Sequence, residues 1–345
     1  MSTTPTIRLS EPAELVAVLP FLLGYHPRDA LVLVCARGAR VVLTACQTLP
    51  EEQAVYPALD ELMSGIAHAD PDTAIVIAYQ GAIDVQAAVE AATTACREVG
   101  IHVSDRIIVG DGTWQSLEHG SSGHTAPSSA VSELVGAGIS PLTSRSDVDA
   151  ILEPRQEAQD VARHLNRYTA RENCEEALLA LYCSAWPVVL DVTDHAPPIT
   201  PKTAARAVLA LRDIPVRDVL VARLPPGALH PADVPGRTAD LIRSLPPAPW
   251  ETSSGWERVQ VHSRLQHRLV TLCAMTPDSH ATPALTVLAC WAWWRGDGAL
   301  ARAATERALR CDAGYRLAQL IQSAHHPQRA PARRLTHRRT RPAPL

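Results

Sequence analysis

Residues 73–109 read TAIVIAYQGAIDVQAAVEAATTACREVGIHVSDRIIV, and this stretch decides the fold. Thr73–Tyr79 is a β-branched run, Val85–Val99 carries apolar residues at helical spacing, and His102–Val109 returns to a strand pattern. A strand, a helix of about 15 residues and a second strand form a βαβ unit, whose right-handed crossover sets the two strands parallel. Ile75-Val76-Ile77-Ala78 has no polar alternation, so helices are expected on both faces of the sheet.

Working outward, Ala30–Ala36 and Arg40–Gln47 are two further strand-like runs joined by Arg37-Gly38-Ala39, which reads as a hairpin. Glu11–Leu19 reads as a helix with Ser10 as its N-cap and Pro12 in the first turn, and Leu22-Leu23-Gly24-Tyr25-His26-Pro27 as a glycine C-cap followed by a rigid turn. Another helix is expected near Glu51–His68. Downstream, Asp111–Pro127 is polar and Gly/Ser-rich and reads as a loop of about 17 residues, a length that usually signals function or mobility. Beyond Ser128 every readable segment is helical: Ser128–Gly136, Ser146–Leu152, Pro154–Ala185, Pro201–Leu211, Val216–Leu220, Ala232–Leu245 and Trp256–Ala274, with prolines at the joins. The fold expected is thus α/β, a mixed sheet with a hairpin and a βαβ unit, followed by an all-α domain. The boundaries are 1–150 for the α/β domain, 151–325 for the helical domain and 326–345 for a basic tail expected to be disordered.

The helical domain ends in the clearest repeat signal. Ala284–Trp294 is one helix, Gly296-Asp297-Gly298 a tight turn, Ala299–Arg310 a second helix and Tyr315–Ser323 a third. Residues 284–323 resemble a tetratricopeptide repeat, with Ala301 and Ala308 at the positions where small residues let helices pack closely, although Leu285 replaces the usual tryptophan. One repeat and a following helix fall short of the roughly three needed for a free-standing solenoid, so the hairpin must lean on preceding helices. Trp291 and Trp294 share a face at core spacing, which leaves Trp293 as the candidate for partner contact.

Composition narrows the function. The chain has 345 residues, 46% hydrophobic and 20% charged, with a mean hydropathy of -0.02, which suits a globular protein with one large or two ordinary domains. No stretch is long and apolar enough to span a membrane and the first residues lack a secretion signal, so the protein reads as cytoplasmic. Lys202 is the sole lysine among 32 basic residues and Phe21 the sole phenylalanine, a bias of a GC-rich coding genome. The formal charge of -4 divides into +6 on the last 21 residues, which carry six arginines and no acid, and -10 on the rest. So acidic a body repels phosphate backbones, and any nucleic-acid contact would be a weak, salt-dependent one through 326–345. The eight cysteines include no C-x-x-C pair and sit mostly among Val, Leu and Ala, which argues for packing and against zinc.

Candidate site residues lie at the carboxyl edge of the sheet. Asp111, in Gly110-Asp111-Gly112, directly follows a strand, where open α/β sheets place their ligands, although a D-G turn is also an ordinary way to leave a strand. Trp114, His119 and His124 follow it, and His26 occupies a neighbouring turn. Glu118, His119 and His124 carry metal-ligating groups, but the flexible Gly120–Gly123 between them argues against a preorganised site, and no metal is expected. Asp191, Asp194 and His195 read as surface capping groups, and His262 and His267, five apart on a helix, as solvated. Gly296-x-Gly298-x-x-Ala301 matches a loose dinucleotide fingerprint but follows a helix, so it reads as a helix-hairpin turn. No phosphate-binding loop, nucleophile elbow, H-E-x-x-H or deaminase motif is present, and no cofactor is expected.

Five stretches together resemble one family: EPAELVAVLPFLLGYHPRDALVLV from Glu11, DRIIVGDGTWQSL from Asp105, VGAGISPLTSRSDVDAILEP from Val135, LALRDIPVRDVL from Leu209 and WWRGDGALARAATERALRCDAGYRLAQLI from Trp293. The family is common in high-GC Gram-positive bacteria and is catalogued only as a domain of unknown function. The resemblance implies relatives and no chemistry. Members commonly carry several cysteines after the GDG-x-W segment, whereas this chain has SLEHGSSGHTAPSS there. The expectation is an uncharacterised cytoplasmic protein acting as a non-catalytic protein-interaction or regulatory protein, its protein partner unidentified. The alternative is an enzyme or small-molecule-binding protein using the sheet edge around Asp111.

Overall fold

The computed structural model describes residues 9, 11–49, 59, 62–63, 66, 69–81, 85–125, 128–168, 174–226, 229–244 and 247–325. The helix expected near Glu51–His68 and the 326–345 tail lie largely or wholly outside them.

Among the described residues six strands form one sheet in the order β2-β1-β3-β4-β5-β6. They are β1 (Ala30–Arg37), β2 (Arg40–Thr48), β3 (Thr73–Tyr79), β4 (His102–Gly110), β5 (Thr113–Ser116) and β6 (Ser122–His124). β1 runs antiparallel to β2 and β3, and the crossover helix α2 (Gln86–Glu98) sets β3 and β4 parallel, so the sheet is mixed, with the expected hairpin and βαβ unit. Side-chain alternation on β1 splits the core in two. Leu31, Leu33 and Cys35 pack with Ala88, Val89, Ala92 and Cys96 of α2, while Val32 and Val34 pack with Leu15, Val16 and Leu19 of α1 (Pro12–Leu23). Both faces are therefore covered by helices, as the unbroken apolar strands require.

Two local expectations change. The first helix does not stop at Leu19 but continues through Pro20 to Leu23, ending at Gly24 with φ 80°. Proline removes one backbone donor, and the burial of Leu19 against the sheet holds the turn together. The stretch expected as a loop from Asp111 contains β5 and the edge strand β6. Thr113-Trp114-Gln115-Ser116 alternates exposed and buried, a period of two hidden by its polar residues.

Twelve helices follow among the described residues: α3 (Ser129–Gly136), α4 (Arg145–Ala150), α5 (Glu157–Leu165), α6 (Glu175–Val189), α7 (Pro201–Ala210), α8 (Ile214–Arg223), α9 (Gly236–Ser244), α10 (Pro249–Thr252), α11 (Gly255–Ala274), α12 (Asp278–Arg295), α13 (Gly298–Cys311) and α14 (Arg316–His325). The single helical stretch expected over Pro154–Ala185 is two helices, because no Leu, Ile or Val stands between Leu165 and Leu178 to carry an apolar stripe across. α12 is apolar on every side, with ten buried residues, and is surrounded by α7, α8, α11, α13 and α14. Tyr25, Val148 and Leu152 join the core of this helical layer.

One polar side chain holds that layer together. Arg307 is only 2% exposed, and its guanidinium donates to the carbonyls of Leu152, Cys273 (3.1 Å) and Thr276 (3.1 Å) and to Asp278 Oδ1 (2.8 Å). It thereby caps the end of α11 and reaches the turn after α4. Hydrogen bonding to this arginine holds the Asp278 carboxyl below the usual carboxylate range.

Candidate functional site

The sheet edge can be built from its turns. β4 and β5 are joined by two residues, Asp111 and Gly112, with φ of 49° and 72°, and Gly110 pairs with Thr113. A two-residue hairpin whose central residues both have positive φ favours Asp-Gly for backbone reasons alone. The Thr113 hydroxyl donates to the Gly110 carbonyl (2.7 Å), and the Thr125 amide and hydroxyl both donate to the Gly112 carbonyl (2.8 and 2.9 Å). The Asp111 side chain is exposed. Nearby, the Asp29 carboxylate occupies the space a Cβ on Gly81 would need, and the Gln80 amide oxygen lies against Gly110.

The other residues of this edge separate onto different faces. Trp114 is buried on the α1 side of the sheet, opposite Gly123, where a methyl group would come within 3.2 Å of its indole nitrogen. Its indole N–H is buried without a hydrogen-bond partner among the described residues. His124 pairs with Thr113 in the adjacent row and points to the other face. His119 is exposed at the β5–β6 turn, its amide donating to Ser116 Oγ (3.1 Å), and Glu118 is ion-paired with Arg106 (2.7 Å). Among the described residues no three His, Cys, Asp or Glu side chains are grouped to hold a metal. His26 is exposed beyond Gly24, its amide donating to the Leu142 carbonyl (2.9 Å).

The sequence reading missed the polar pair beneath this edge. Asp105 is 5% exposed and Ser116 fully buried, and the Ser116 hydroxyl donates to Asp105 Oδ1 (2.7 Å), which also accepts from the Arg106 amide (2.7 Å). Asp105 points inward by plain alternation with the buried Ile107 and Val109 on the same strand, and its polar side chain hides that period.

A second cluster sits at the α12–α13 turn. His262 packs on Trp291 (ring centroids 5.2 Å, edge-on) and Trp294 (5.5 Å), and its Nε2 donates to the Trp250 carbonyl (3.0 Å). Burial pushes the imidazole down to about 4, so the ring is neutral, which corrects the expectation of a solvated histidine; His267, in contrast, is exposed. Arg295 lies over Trp291 and donates to Gln266 Oε1 (2.7 Å), while Gln266 Nε2 donates to Asp297 (3.0 Å). Asp297 caps α13 by accepting from the Leu300 amide (3.0 Å), and burial raises its carboxyl pKa. Gly296, with φ 81°, ends α12, so the glycine pair here builds a helix turn. Trp291 is fully buried and Trp293 is 50% exposed. An arginine on the buried stripe Leu300-Ala303-Ala304-Arg307 was the readable signal for the clamp described above.

Tyr25 joins the sheet to the helical layer: its hydroxyl donates to Cys46 Sγ (3.3 Å) on β2, and burial pushes both groups' pKa upward. His267 lines a depression of about 330 Å³ with Glu157, Ile199, Thr271 and Met275.

No helix among the described residues is long and apolar enough to cross a membrane. No curated protein and no solved structure matches the chain. One family does, across nearly its whole length, from the first turn of α1 to beyond α14: matched over residues 12–331, the chain belongs to the family described as a domain of unknown function, DUF4192.

Proposed function

We propose that the protein acts in the cytoplasm as a non-catalytic binding protein, recognising a protein partner through the exposed side of the α12–α13–α14 stack. The observation that carries this reading is the half-exposed Trp293 next to a buried, rigid aromatic cluster, with Leu320 on α14 57% exposed. A large aromatic held by a stiff neighbour loses little entropy on binding, which is why such residues dominate interfaces. The sequence likeness of residues 284–323 to a tetratricopeptide repeat supports the same surface, because helix hairpins of that kind take up partner segments in their grooves. The arginines of 326–345 would add salt-dependent contacts to acidic partners or nucleic acid.

The test is site-specific photocrosslinking from position 293 in the full chain, expressed at native level. A defined adduct that disappears on Leu320→Glu is expected. The opposing reading, an enzyme or small-molecule binder at the sheet edge, is favoured by a thermal-shift screen with nucleotides, metals and metabolites if a shift of several degrees is lost in Asp111→Ala and retained in Leu320→Glu. That outcome, without a position-293 adduct, overturns the proposal.

A further inference from the structure

We propose that the depression lined by α5, α11 and the start of α7 is a binding site for a small apolar amine, whose ammonium group meets Glu157 and whose hydrocarbon body rests on Ile199 and Met275. Its walls belong neither to the sheet edge nor to the α12–α14 stack. α11 builds one of them. His267, Thr271 and Met275 stand at i, i+4 and i+8, a single stripe about 12 Å long on one helix face. The stripe grades from an exposed imidazole, through a half-buried hydroxyl, to the buried Met275. The Arg155 amide donates to the Ala274 carbonyl (2.8 Å), which fastens the start of α5, and with it Glu157, near the Met275 end.

The wall on the α7 side is stiff. Pro198 and Pro201 fix their own φ on either side of Ile199, and Thr200 caps α7 by accepting from the Thr203 amide (3.1 Å). The cavity of about 330 Å³ lies at the small end of ligand-sized pockets, and it combines an apolar floor with a polar rim.

Charge selects the ligand. Arg268 also lines the cavity, but its guanidinium donates to the carbonyls of Val188, Val189 (3.0 Å) and Pro197 (2.9 Å) and is occupied in holding the end of α6. The start of α7 offers an anion little, because Pro201 has no N–H and the Thr203 amide is already taken. The Glu157 carboxylate, in contrast, has neither a hydrogen bond nor an ion pair among the described residues, and the Thr271 hydroxyl has no hydrogen bond there. The unanswered charge is therefore negative, and the -10 carried by residues 1–324 draws cations toward it. A strongly hydrated cation gains nothing from Ile199 and Met275, whereas an ammonium on a short aliphatic or aromatic body uses both ends of the site. Because the lining comes from three separate helical elements, a bound amine ties them together and stabilises the fold.

Calorimetric titration and thermal unfolding of the full chain test the proposal, with 2-phenylethylamine as the probe and 2-phenylethanol and 3-phenylpropionate as controls of similar body. The expected result is saturable binding of the amine with a Kd of about 1 mM or below and a rising midpoint, with the alcohol and the carboxylate weaker by roughly tenfold or more. Glu157→Gln should erase that preference, and Thr271→Phe, which fills the cavity, should abolish binding. Glu157→Gln replaces an exposed residue and decides the matter alone if the phenylalanine variant fails to fold. No saturation by about 20 mM amine overturns the proposal, as do equal affinities for amine and alcohol, a preference for the carboxylate, or amine binding unchanged in Glu157→Gln. Leu320→Glu and Asp111→Ala leave the expected binding intact, so this outcome is separable from the partner reading of the helical stack and from a ligand at the sheet edge.

Discussion

The sheet and the helical layer both bury polar groups, and they satisfy them over very different distances along the chain. In the sheet, Asp105 is met by Ser116, 11 positions away, and the Asp111-Gly112 turn is held by Gly110, Thr113 and Thr125. In the helical layer, Arg268 reaches back 79 positions to Val189, Arg217 reaches Tyr315 across 98, and Arg307 reaches Leu152 across 155. Local polar contacts shape an edge, and each can fail by itself. Distant ones bind several helices at a single point, so their loss is shared by the whole layer.

The sharpest way to break this contrast is Arg307→Met. Removing the guanidinium leaves buried carbonyls unpaired and Asp278 without its partner, and should cost about 3–5 kcal/mol. Urea unfolding measures it, and an unchanged midpoint would show that the helical layer does not depend on this clamp. Ser116→Ala is the matching change in the sheet and should cost only about 1–3 kcal/mol, the penalty for one lost partner to a buried acceptor.

A smaller effect comes from pH. His262 titrates near 4 in the fold and near 6.5 when free, so its contribution is complete above pH 6.5 and is lost as pH falls toward 4, where the unfolded chain binds a proton that the folded chain refuses. His262→Gln should flatten the urea midpoint across that window; an equal slope in both proteins counts against a buried neutral ring. The smallest effect is expected at the turn. Asp111→Gly should change stability by less than about 0.5 kcal/mol, since glycine also accepts positive φ, while Asp111→Val should cost about 1–2 kcal/mol. Equal costs for both would mean that the carboxylate itself matters.

The same contrast explains what was legible in the sequence. Thr73–Val109 could be read because its periods of two and 3.6 are local and long enough to stand out. Gly24 as a helix end and Gly296-Asp297-Gly298 as a helix turn were legible from backbone chemistry. The strands after Asp111 were not, since four polar-rich residues resemble a loop until a neighbour pairs with them. Proline was over-read as a stop: α12 begins at Asp278 and passes through Pro283, and α6 passes through Pro187, because dense packing around a helix outweighs one missing hydrogen bond. The burial of His262, the partners of Arg307 and the Tyr25–Cys46 contact were invisible because the groups they meet are remote in sequence.

The Arg307 clamp also constrains the order in which the chain can be completed. During synthesis the carbonyls of Leu152, Cys273 and Thr276 emerge before the side chain that pairs with them, Leu152 by 155 residues. The sheet's contacts close within a few tens of residues and can form while the chain is still growing, whereas the helical layer has to wait. Chains arrested shortly before residue 307 should therefore carry a protease-resistant sheet and a digestible helical remainder, and those arrested after α14 has emerged should resist throughout. The last few turns of helix thus act as a completion signal for the helical layer.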